Sequence, residues 1–535
     1  MEAEFATFLA QHEAKVKPLS IAYAECSYEA AVSGSDSLYT KAADFSVQLT
    51  KVYTDKKAFE RIKQFKSSGL IKDSLLSRQL DILYLYFLGN QADTAILEDL
   101  IRKQSNIEKQ FAAYRPVVGG KKLADNEIDD ILRNSVNSQE LEQVWNASKM
   151  IGSQVEKDVI ALVRKRNELA KGLGFSNYHE MSLKLSEQDP AEVEKLFDEL
   201  DVLTRDGFAS VKTEIDSYLS KRFNMSTDEL MPWHYQNRFF QEAPAIYSMN
   251  IDKYYENTDI LKVTKDYYNG LQLPVDDIID RSSLYEKEGK NQHAFCTDID
   301  RSGDVRVLLN LRNNGYWMNT ILHELGHGVY SKFNDPQLPY FLRDAAHTFT
   351  TEAIALMFGR FYSNPYWIRD NIGISNDEVN KIKTDCRNTL RLEQLLFSRW
   401  SQVMFRFEKA MYQNPDQDLN KLWWDLVEKY QLLKRPEGRN QPDWASKIHI
   451  ATFPCYYHNY LLGDLLASQL YYYISENVLH SVPGEESFTN KPAVGKYLME
   501  NVFKPGMRYP WEEMIEKATG EKLTAKYYAK QFVNP

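Results

Sequence analysis

Long segments with apolar residues at three-to-four spacing constrain the fold of this sequence more than any other feature. Residues three and four apart lie on one face of an α-helix, so each segment predicts an amphipathic helix packed against a core. The clearest examples are AFERIKQFKSSG (58–69), SLLSRQLDILYLYFLG (74–89), DVIALVRKRNELAKGLG (158–174) and TLRLEQLLFSRWSQVMFRFEKAMYQ (389–413). The sequence therefore predicts a mainly α fold.

One segment, DVRVLLNLR (304–312), has the period of a strand instead. Its residues Val305, Val307, Leu309 and Leu311 alternate with other residues, and the turn signal Asn-Asn-Gly follows at 313–315. This pattern predicts a small β-sheet that leads directly into a helix. We find no fixed-period repeat, low-complexity tract or long Pro/Gly/Ser linker, so we expect one unit over 1–535, with an N-terminal helical part (roughly 1–285) and a catalytic part (roughly 286–535).

Charge and hydropathy exclude several classes of function. The 535 residues carry a formal net charge of −10 and no cluster of Lys and Arg, which argues against a nucleic-acid partner. No stretch reaches the roughly 18 apolar residues that span a bilayer, and no targeting pattern begins the sequence. We expect a soluble protein with no membrane span, either cytoplasmic or periplasmic or secreted after removal of a signal. The sequence does not specify the oligomeric state.

The four cysteines form neither a disulfide framework nor a cysteine-rich metal site. They are widely separated along the chain and include no CxxC pair. We therefore expect free thiols at Cys26, Cys296, Cys386 and Cys455.

The segment His323-Glu-Leu-Gly-His327 carries the sharpest chemical signal. Four residues make a little over one helical turn, so both imidazoles can meet a single ion, with Glu324 beside them to take a proton from water. Zinc suits such ligands, lowers the pKa of a coordinated water to about 7 and needs a third protein ligand. The competing interpretation is a chance five-residue pattern. The strand, turn and helix around it favour a real site, with one Zn²⁺ per chain.

Three positions compete for the third ligand. A histidine at 333 would extend the motif to that of the metzincins, but Phe333 stands there. Asp335 precedes a proline in a turn-like segment, and Asp344 has little local support. Glu352 is better placed, because it lies beside the apolar face of the predicted helix TFTTEAIALMFGRFY and a buried carboxylate there needs a partner. The alternative is a solvated glutamate in the first turn of that helix.

Beyond the motif, the chain resembles the angiotensin-converting-enzyme family and the related thimet oligopeptidases and oligoendopeptidases. The resemblance runs from about residue 290 to the C-terminus, through HELGHGVY, LRDAAHTFTTEAIALMFGR and KIHIATFPCYYHNYLLGDLLASQL, and more loosely through RNELAKGLGFSNYHEM (166–181). It implies two helical lobes flanking a deep cleft that admits short peptides and excludes folded proteins. It also implies that Glu352 is the third zinc ligand.

Further site residues follow from the resemblance alone. His293 and Ala294 match a segment that binds the substrate backbone, although an exposed histidine at a strand edge would look the same. His449, in KIHIATFP, matches a histidine that hydrogen-bonds the substrate.

Three tyrosines in PCYYHNY compete for two roles in the family, because this segment is one residue longer than the family pattern. We assign Tyr460 to the oxyanion that forms on the scissile carbonyl, where a phenol acts mainly on the transition state, and Tyr457 to substrate binding. Tyr456 is the remaining candidate, and aromatic packing on a helix is the alternative interpretation.

Lys447 and Gln236 match residues that grip the free C-terminal carboxylate of the substrate in family members that release dipeptides. A lysine suits that anion, whereas a surface lysine and a solvated glutamine are the alternatives.

The sequence departs from the family pattern at two places. His458-Asn459 stands where an arginine binds an activating chloride, so the resemblance does not extend to chloride activation, and the sequence does not specify chloride dependence. Leu356 stands where related peptidases place an aspartate that orients a zinc histidine, so Asp344 or a backbone carbonyl would have to supply that contact.

These observations predict a zinc peptidase that hydrolyses short peptides through water activated by Glu324 and bound to zinc, with release of C-terminal dipeptides as the expected register. An oligoendopeptidase of the same fold, a carboxypeptidase that removes single residues and a non-catalytic peptide-binding protein are the alternatives. A pure binder would have no need of the base Glu324, which argues against the last.

Overall fold

The computed structural model describes residues 1–247 and 249–533. Helices account for 69% of the chain, and the strands that the structure describes form only two sheets of two strands each. The predicted mainly α fold is therefore confirmed. Among the described helices, none combines the length and the apolar character that crossing a membrane requires. All four cysteines are free.

The α-helices in chain order are α1 (Glu2–Ser33), α2 (Asp36–Tyr53), α3 (Lys56–Ser68), α4 (Ser74–Gly89), α5 (Thr94–Ala113), α6 (Asp125–Asn134), α7 (Ser138–Gly172), α8 (Tyr178–Leu185), α9 (Pro190–Phe223), α10 (Ile260–Gly270), α11 (Asp276–Asp280), α12 (Gly315–Lys332), α13 (Thr348–Gly359), α14 (Pro365–Ile372), α15 (Asn376–Gln413), α16 (Leu419–Gln431), α17 (Ile448–Thr452), α18 (His458–Tyr473), α19 (Pro492–Leu498), α20 (Trp511–Thr519) and α21 (Lys526–Phe532). The strands are β1 (Val117–Val118), β2 (Lys121–Lys122), β3 (Phe295–Asp298) and β4 (Val305–Leu308).

Two compact units make up the described chain. The first, here called the HExxH unit, contains residues 1–91, 249–387 and 462–527. The second unit contains residues 92–247, 388–461 and 528–533. Each unit takes segments from before and after residue 285. The assignment of the catalytic part to residues 286–535 stays a prediction.

Side-chain caps explain where many helices begin. Asn137 caps α7 by accepting hydrogen bonds from two backbone N–H groups at 3.1 and 3.2 Å, and Asp189 caps α9, whose first residue is Pro190. Such caps satisfy N–H groups that have no partner within the helix. In the HExxH unit, α1 ends at Ser33, and the backbone of the following residue, Gly34, is left-handed with φ of 70°.

A strand lies within the predicted segment but is shorter than predicted, because β4 ends at Leu308 and leaves Leu309 and Leu311 outside it. β4 runs antiparallel to β3, with Phe295 opposite Leu308 and Asp298 opposite Val305. The chain then turns, and the Asn314 side chain caps α12 by accepting the Trp317 N–H at 2.9 Å.

α12 packs directly on this sheet. Gly328, on α12, faces the side chains of Val305 and Cys296, so the prediction of a small sheet beside the HExxH helix is confirmed. α12 also packs into the core through four fully buried side chains, those of Ile321, Leu322, Leu325 and Val329.

Candidate active site

The structure divides the predicted site residues between the two units. The HExxH unit contains His293, Ala294, His323, Glu324, His327 and Glu352. The second unit contains Gln236, Lys447, His449, Tyr457 and Tyr460.

α12 presents its two histidines on one face. The ring centroids of His323 and His327 lie 4.9 Å apart with their planes at 82°. Helical spacing alone produces this pairing, because four residues bring a side chain back to nearly the same direction. Both rings are about one-fifth exposed, at 22% and 20%, so they are sheltered but reachable from solvent.

Glu352, in the first turns of α13, completes a three-residue set. Its two carboxylate oxygens lie 3.7 Å from Nε2 of His323 and 3.5 Å from Nε2 of His327. One atom from each of the three side chains lies within 4.8 Å of the other two. Two imidazoles and one carboxylate at such separations can surround one ion and leave a fourth position open, as in catalytic zinc sites.

Three glycines let the surrounding helices approach this set. A Cβ on Gly326 would lie 2.8 Å from Cα of Ala355, so α12 and α13 can pack this closely only with glycine at 326. A Cβ on Gly359 would lie 3.1 Å from Oδ1 of Asn319, and one on Gly463 would lie 3.1 Å from Cγ of Glu352. The close backbone contact explains how one carboxylate reaches both imidazoles.

A hydroxyl orients one of the two histidines. Nδ1 of His327 lies 2.8 Å from Oγ1 of Thr351, which leaves Nε2 turned towards Glu352. Asp344, which the sequence offered for this contact, instead pairs with Arg301 at 3.0 Å. Asp335 accepts the Gln337 N–H at 2.9 Å in the expected turn. Neither aspartate joins the three-residue set.

Burial and neighbouring charges set the protonation of this group. Burial opposes ionisation of Glu352, but the two imidazoles hold its pKa below the usual range. Burial lowers the pKa of His323 to about 4, against the opposing effect of Glu352. A neutral imidazole and an ionised carboxylate are the forms that bind a divalent cation.

Glu324 is buried beside this set. Burial raises the pKa of Glu324 to about 7, while His327 and the backbone N–H of Cys296 act in the opposite direction. Cys296 is on β3, so the sheet holds the carboxylate from one side. A base whose pKa lies near neutral pH is well matched to proton transfer.

A cavity of about 390 Å³ opens onto Glu324 and His327. Ala294 lies on its wall with three residues of β3 and two neighbours from the helices: Phe295, Cys296, Asp298, Ser331 and Thr351. His293 is exposed, and its backbone N–H donates to Asn291 at 2.9 Å. Of the two residues predicted to bind the substrate backbone, the structure therefore places only Ala294 on this cavity.

In the second unit, Lys447 is buried among aromatic rings. Its ammonium donates to Oε1 of Gln241 at 2.5 Å and lies 5.3 to 5.7 Å from the ring centroids of Phe239, Trp400 and Tyr457. Burial lowers the pKa of Lys447 to about 8. No ion pair to Lys447 occurs within the described residues, so this ammonium can accept an anionic partner.

Gln236 does not accompany Lys447. Its amide donates to the backbone carbonyl of Arg133 at 3.0 Å, and its backbone is left-handed with φ of 60°. Gln241, five residues later, holds the lysine instead. Sequence reasoning missed Gln241, although it lies in the same loop. The backbone is left-handed at Gln236 and Phe240, and neither position has the glycine that usually indicates such a conformation in a sequence.

Tyr457 lies at the centre of the predicted tyrosine group. Its hydroxyl accepts the indole N–H of Trp400 at 2.8 Å, and burial raises its pKa to about 12. Its ring centroid lies 5.6 Å from that of His449 and 5.4 Å from that of Tyr460. Tyr456 packs against Tyr460 at 5.4 Å as well. Burial lowers the pKa of His449 to about 4, which favours the neutral ring.

A network of side-chain hydrogen bonds lies at the position where the family resemblance places a chloride-binding arginine. Gln188 joins both residues found there: its Oε1 lies 2.8 Å from Nε2 of His458, and its Nε2 donates to Oδ1 of Asn459 at 2.7 Å. All three side chains are buried. The network presents no permanent cation to an anion.

Two buried ionisable side chains, those of Arg166 and Glu408, hold the segment that carries His449 and Tyr457. Arg166 donates to the backbone carbonyls of Ile450 and Ala451 at 3.4 and 2.5 Å. Glu408 accepts the backbone N–H of Cys455 at 2.9 Å. The segment is therefore held in place through its backbone.

Comparison with known proteins gives one family and several distant relatives. The family model described as angiotensin-converting enzyme matches residues 1–533. Angiotensin-converting enzyme of Mus musculus is 25% identical over 298 residues, covering 53% of this chain and 22% of the relative. That of Mesocricetus auratus is 23% identical over 436 residues, covering 74% and 32%.

Thermostable carboxypeptidase 1 of Pyrococcus furiosus is also similar, at 26% identity over 275 residues that cover 44% of this chain and 51% of the relative. The chain spans about a fifth to a half of the length of these curated relatives.

Proposed function

Because the chain belongs to the angiotensin-converting enzyme family, we propose that it is a zinc-dependent peptidase that hydrolyses short peptides. The observation that carries this proposal is the grouping of His323, His327 and Glu352 within 4.8 Å, with the buried carboxylate of Glu324 beside them. Short peptides are the proposed substrates.

The donor set fits zinc. Two imidazole nitrogens and one carboxylate match the ligand types of catalytic zinc sites, and the Thr351 hydroxyl orients one of the imidazoles. When bound, zinc polarises a carbonyl and lowers the pKa of water. One ion per chain is expected from one such set.

Glu324 is the general base in this proposal. It accepts the proton of the attacking water, and its pKa of about 7 lets it do so near neutral pH. Tyr460 and His449 are proposed, from the family resemblance, to donate hydrogen bonds to the oxyanion that forms on the scissile carbonyl.

The proposed register is removal of C-terminal dipeptides. The buried ammonium of Lys447, which has an amide partner in Gln241 but no ion pair among the described residues, supports capture of a free C-terminal carboxylate. Gln241 replaces Gln236 in this assignment, because the Gln236 amide is engaged by the Arg133 carbonyl. Tyr457 is proposed to assist in substrate binding.

One experiment tests both the activity and the register. The zinc-loaded protein is incubated with a peptide of about ten residues in free and amidated forms, and the products are identified by mass spectrometry. We expect successive dipeptides from the free form only, and none with Glu324→Gln. Internal cuts in both forms would instead make the protein an oligoendopeptidase. No cleavage by the wild type would favour a non-catalytic peptide-binding protein.

A carboxypeptidase that removes single residues is the second candidate. The similarity to thermostable carboxypeptidase 1 of Pyrococcus furiosus favours it over an oligoendopeptidase and over a non-catalytic peptide-binding protein. The same experiment separates it from the dipeptide-releasing register, since single residues and dipeptides differ in mass.

A further inference from the structure

A second buried lysine lies on the same cavity as Lys447. This cavity, of about 360 Å³, lies within the second unit and has both lysines, Arg238, His449 and the ring of Phe239 on its wall. The rest of the wall is mixed. Tyr114, two serines and the carboxylates of Glu108 and Asp125 line it, together with six apolar residues: Phe111, Ala112, Pro116, Ile128, Ile151 and Ile448. Apolar walls that carry a few converging polar groups are the usual form of a ligand site.

The second lysine, Lys149 on α7, is only 4% exposed and has no anionic partner among the described residues. Its ammonium lies 3.2 Å from the ring centroid of Phe239 and 5.2 Å from that of Trp145. In the part of the chain that the structure describes, no oxygen accepts a hydrogen bond from the Lys149 ammonium. Aromatic rings compensate a buried cation only in part, so this group lacks the partner that buried charges require.

The nearby carboxylates are already engaged. Asp443, the acidic residue that acts most on Lys149, receives two hydrogen bonds at 2.6 Å from Arg439. Of the two carboxylates on the cavity wall, Asp125 pairs with Arg238 at 3.1 Å, and Glu108 accepts a hydrogen bond from the Gln104 amide at 3.0 Å. Burial therefore holds the pKa of Lys149 well below its usual range, and an incoming anion would restore the charged form.

We propose that Lys149 binds the side-chain carboxylate of the substrate's C-terminal residue, so that peptides ending in Glu or Asp are preferred. This inference rests on the proposed function, in which Lys447 holds the α-carboxylate of that same residue. Both ammonium groups lie against the ring of Phe239, and one acidic residue brings two carboxylates to the cavity. A glutamine or leucine in that position would leave Lys149 without a partner.

The test compares three peptides that differ only in the last residue, Glu, Gln or Leu, with the zinc-loaded full chain. We expect kcat/KM for the Glu peptide to exceed that for the Gln peptide about tenfold or more, because charge-assisted hydrogen bonds are the stronger ones. In Lys149→Met the ratio of kcat/KM for the Glu peptide to that for the Gln peptide should fall to about one, through a higher KM for the Glu peptide. The value of kcat/KM for the Gln peptide should change less than about threefold.

Lys157→Met is the matched control. Lys157 is exposed on the same helix, so its loss changes the net charge equally and should leave the Glu preference intact. Met preserves an unbranched apolar stem at position 149, and thermal unfolding of the variant verifies that it folds. If Lys149→Met does not fold, the comparison of the three peptides with the wild type still tests whether a C-terminal Glu is preferred.

Equal kcat/KM for the Glu and Gln peptides in the wild type would overturn this inference while leaving the peptidase proposal standing. No cleavage of any peptide would overturn both. Acetate tests the other source of a carboxylate. Acetate could raise kcat/KM for the Gln peptide to that for the Glu peptide in the wild type but not in Lys149→Met. That result would show that Lys149 binds a free anion, and the assignment to the substrate's side chain would be wrong.

Discussion

The two candidate sites are fixed in different ways. In the HExxH unit, backbone proximity brings Glu352 to the two histidines, because Gly326 leaves no Cβ between α12 and α13. In the second unit, the buried side chains of Arg166 and Glu408 hold the segment of Lys447 and His449 by its backbone groups. A metal site needs short, fixed distances, which close helix packing supplies. A loop segment that lines a buried cavity needs hydrogen-bond partners for its backbone groups, and here two long side chains supply them.

The largest effect is expected from the base. Glu324→Gln keeps the shape of the side chain but cannot accept the proton of water, so kcat should fall about 10³-fold. Zinc content by elemental mass spectrometry should stay at one per chain, because Glu324 is not among the three grouped ligands. Activity within tenfold of the wild type would remove Glu324 from the proposed role.

Closing the gap between the helices tests the first half of the comparison. Gly326→Ala places a methyl 2.8 Å from Cα of Ala355, so α13 has to move. We expect zinc affinity to fall about 10- to 100-fold and the free energy of unfolding to fall by about 1–3 kcal/mol.

Gly328→Ala is the control for that change. The added methyl would meet the Ile278 side chain at 3.2 Å and no backbone, so a side-chain shift can accommodate it. Zinc affinity, measured by competition with a chelator, should stay within about threefold of the wild type. Equal losses of zinc affinity in Gly326→Ala and Gly328→Ala would show that the close helix contact at Gly326 does not position the metal ligands.

Removal of Arg166 tests the second half. Arg166→Met leaves the carbonyls of Ile450 and Ala451 buried without this donor, and the free energy of unfolding should fall by about 2–4 kcal/mol in chemical denaturation. Zinc content should not change. Arg164→Met, two residues earlier and exposed in a pair with Asp416, should cost less than about 1 kcal/mol.

Glu408 provides a pH-dependent version of the same test. Burial raises the pKa of Glu408 to about 8, while the Cys455 N–H and Arg166 act against this shift. The folded state therefore holds this proton above the pH at which the unfolded chain releases it, about 4.3. The resulting stability is fully present below that pH and is lost as pH rises to about 8.

Glu408→Gln cannot lose a proton, so its melting temperature relative to the wild type should rise between pH 5 and 8, as measured by thermal unfolding at a series of pH values. Glu168→Gln, at an exposed position, is the control and should show a constant difference. A flat profile for Glu408→Gln would contradict the proposed protonation.

The smallest effect concerns chloride. Since the network of Gln188, His458 and Asn459 contains no lysine or arginine, replacing chloride by acetate at equal ionic strength should change kcat/KM less than about twofold. A larger dependence on chloride would place a cation elsewhere in the site. The Leu peptide is the substrate for this measurement, because acetate is itself a carboxylate.

Sequence alone predicted most of what local periodicity determines. The helices, the presence of a strand within 304–312 and the pairing of His323 with His327 all follow from spacing within one segment. Glu352 competed with Asp335 and Asp344 until the family resemblance was used, because the distance between α12 and α13 is a property of tertiary packing.

The second unit was harder to predict for the same reason. Gln241 and Lys149 meet Lys447 across a loop and a helix that no local pattern connects. The partner strand β3 was also missed, since four residues with no clear alternation give little signal.

The close contact between α12 and α13 at Gly326 restricts which residues the HExxH motif can contain in this chain. A general search leaves the third and fourth letters of HExxH free, whereas in this chain the fourth letter is confined to glycine by the backbone of α13. A saturation library at positions 325 and 326, selected for zinc retention, should recover several apolar residues at the first position and glycine alone at the second.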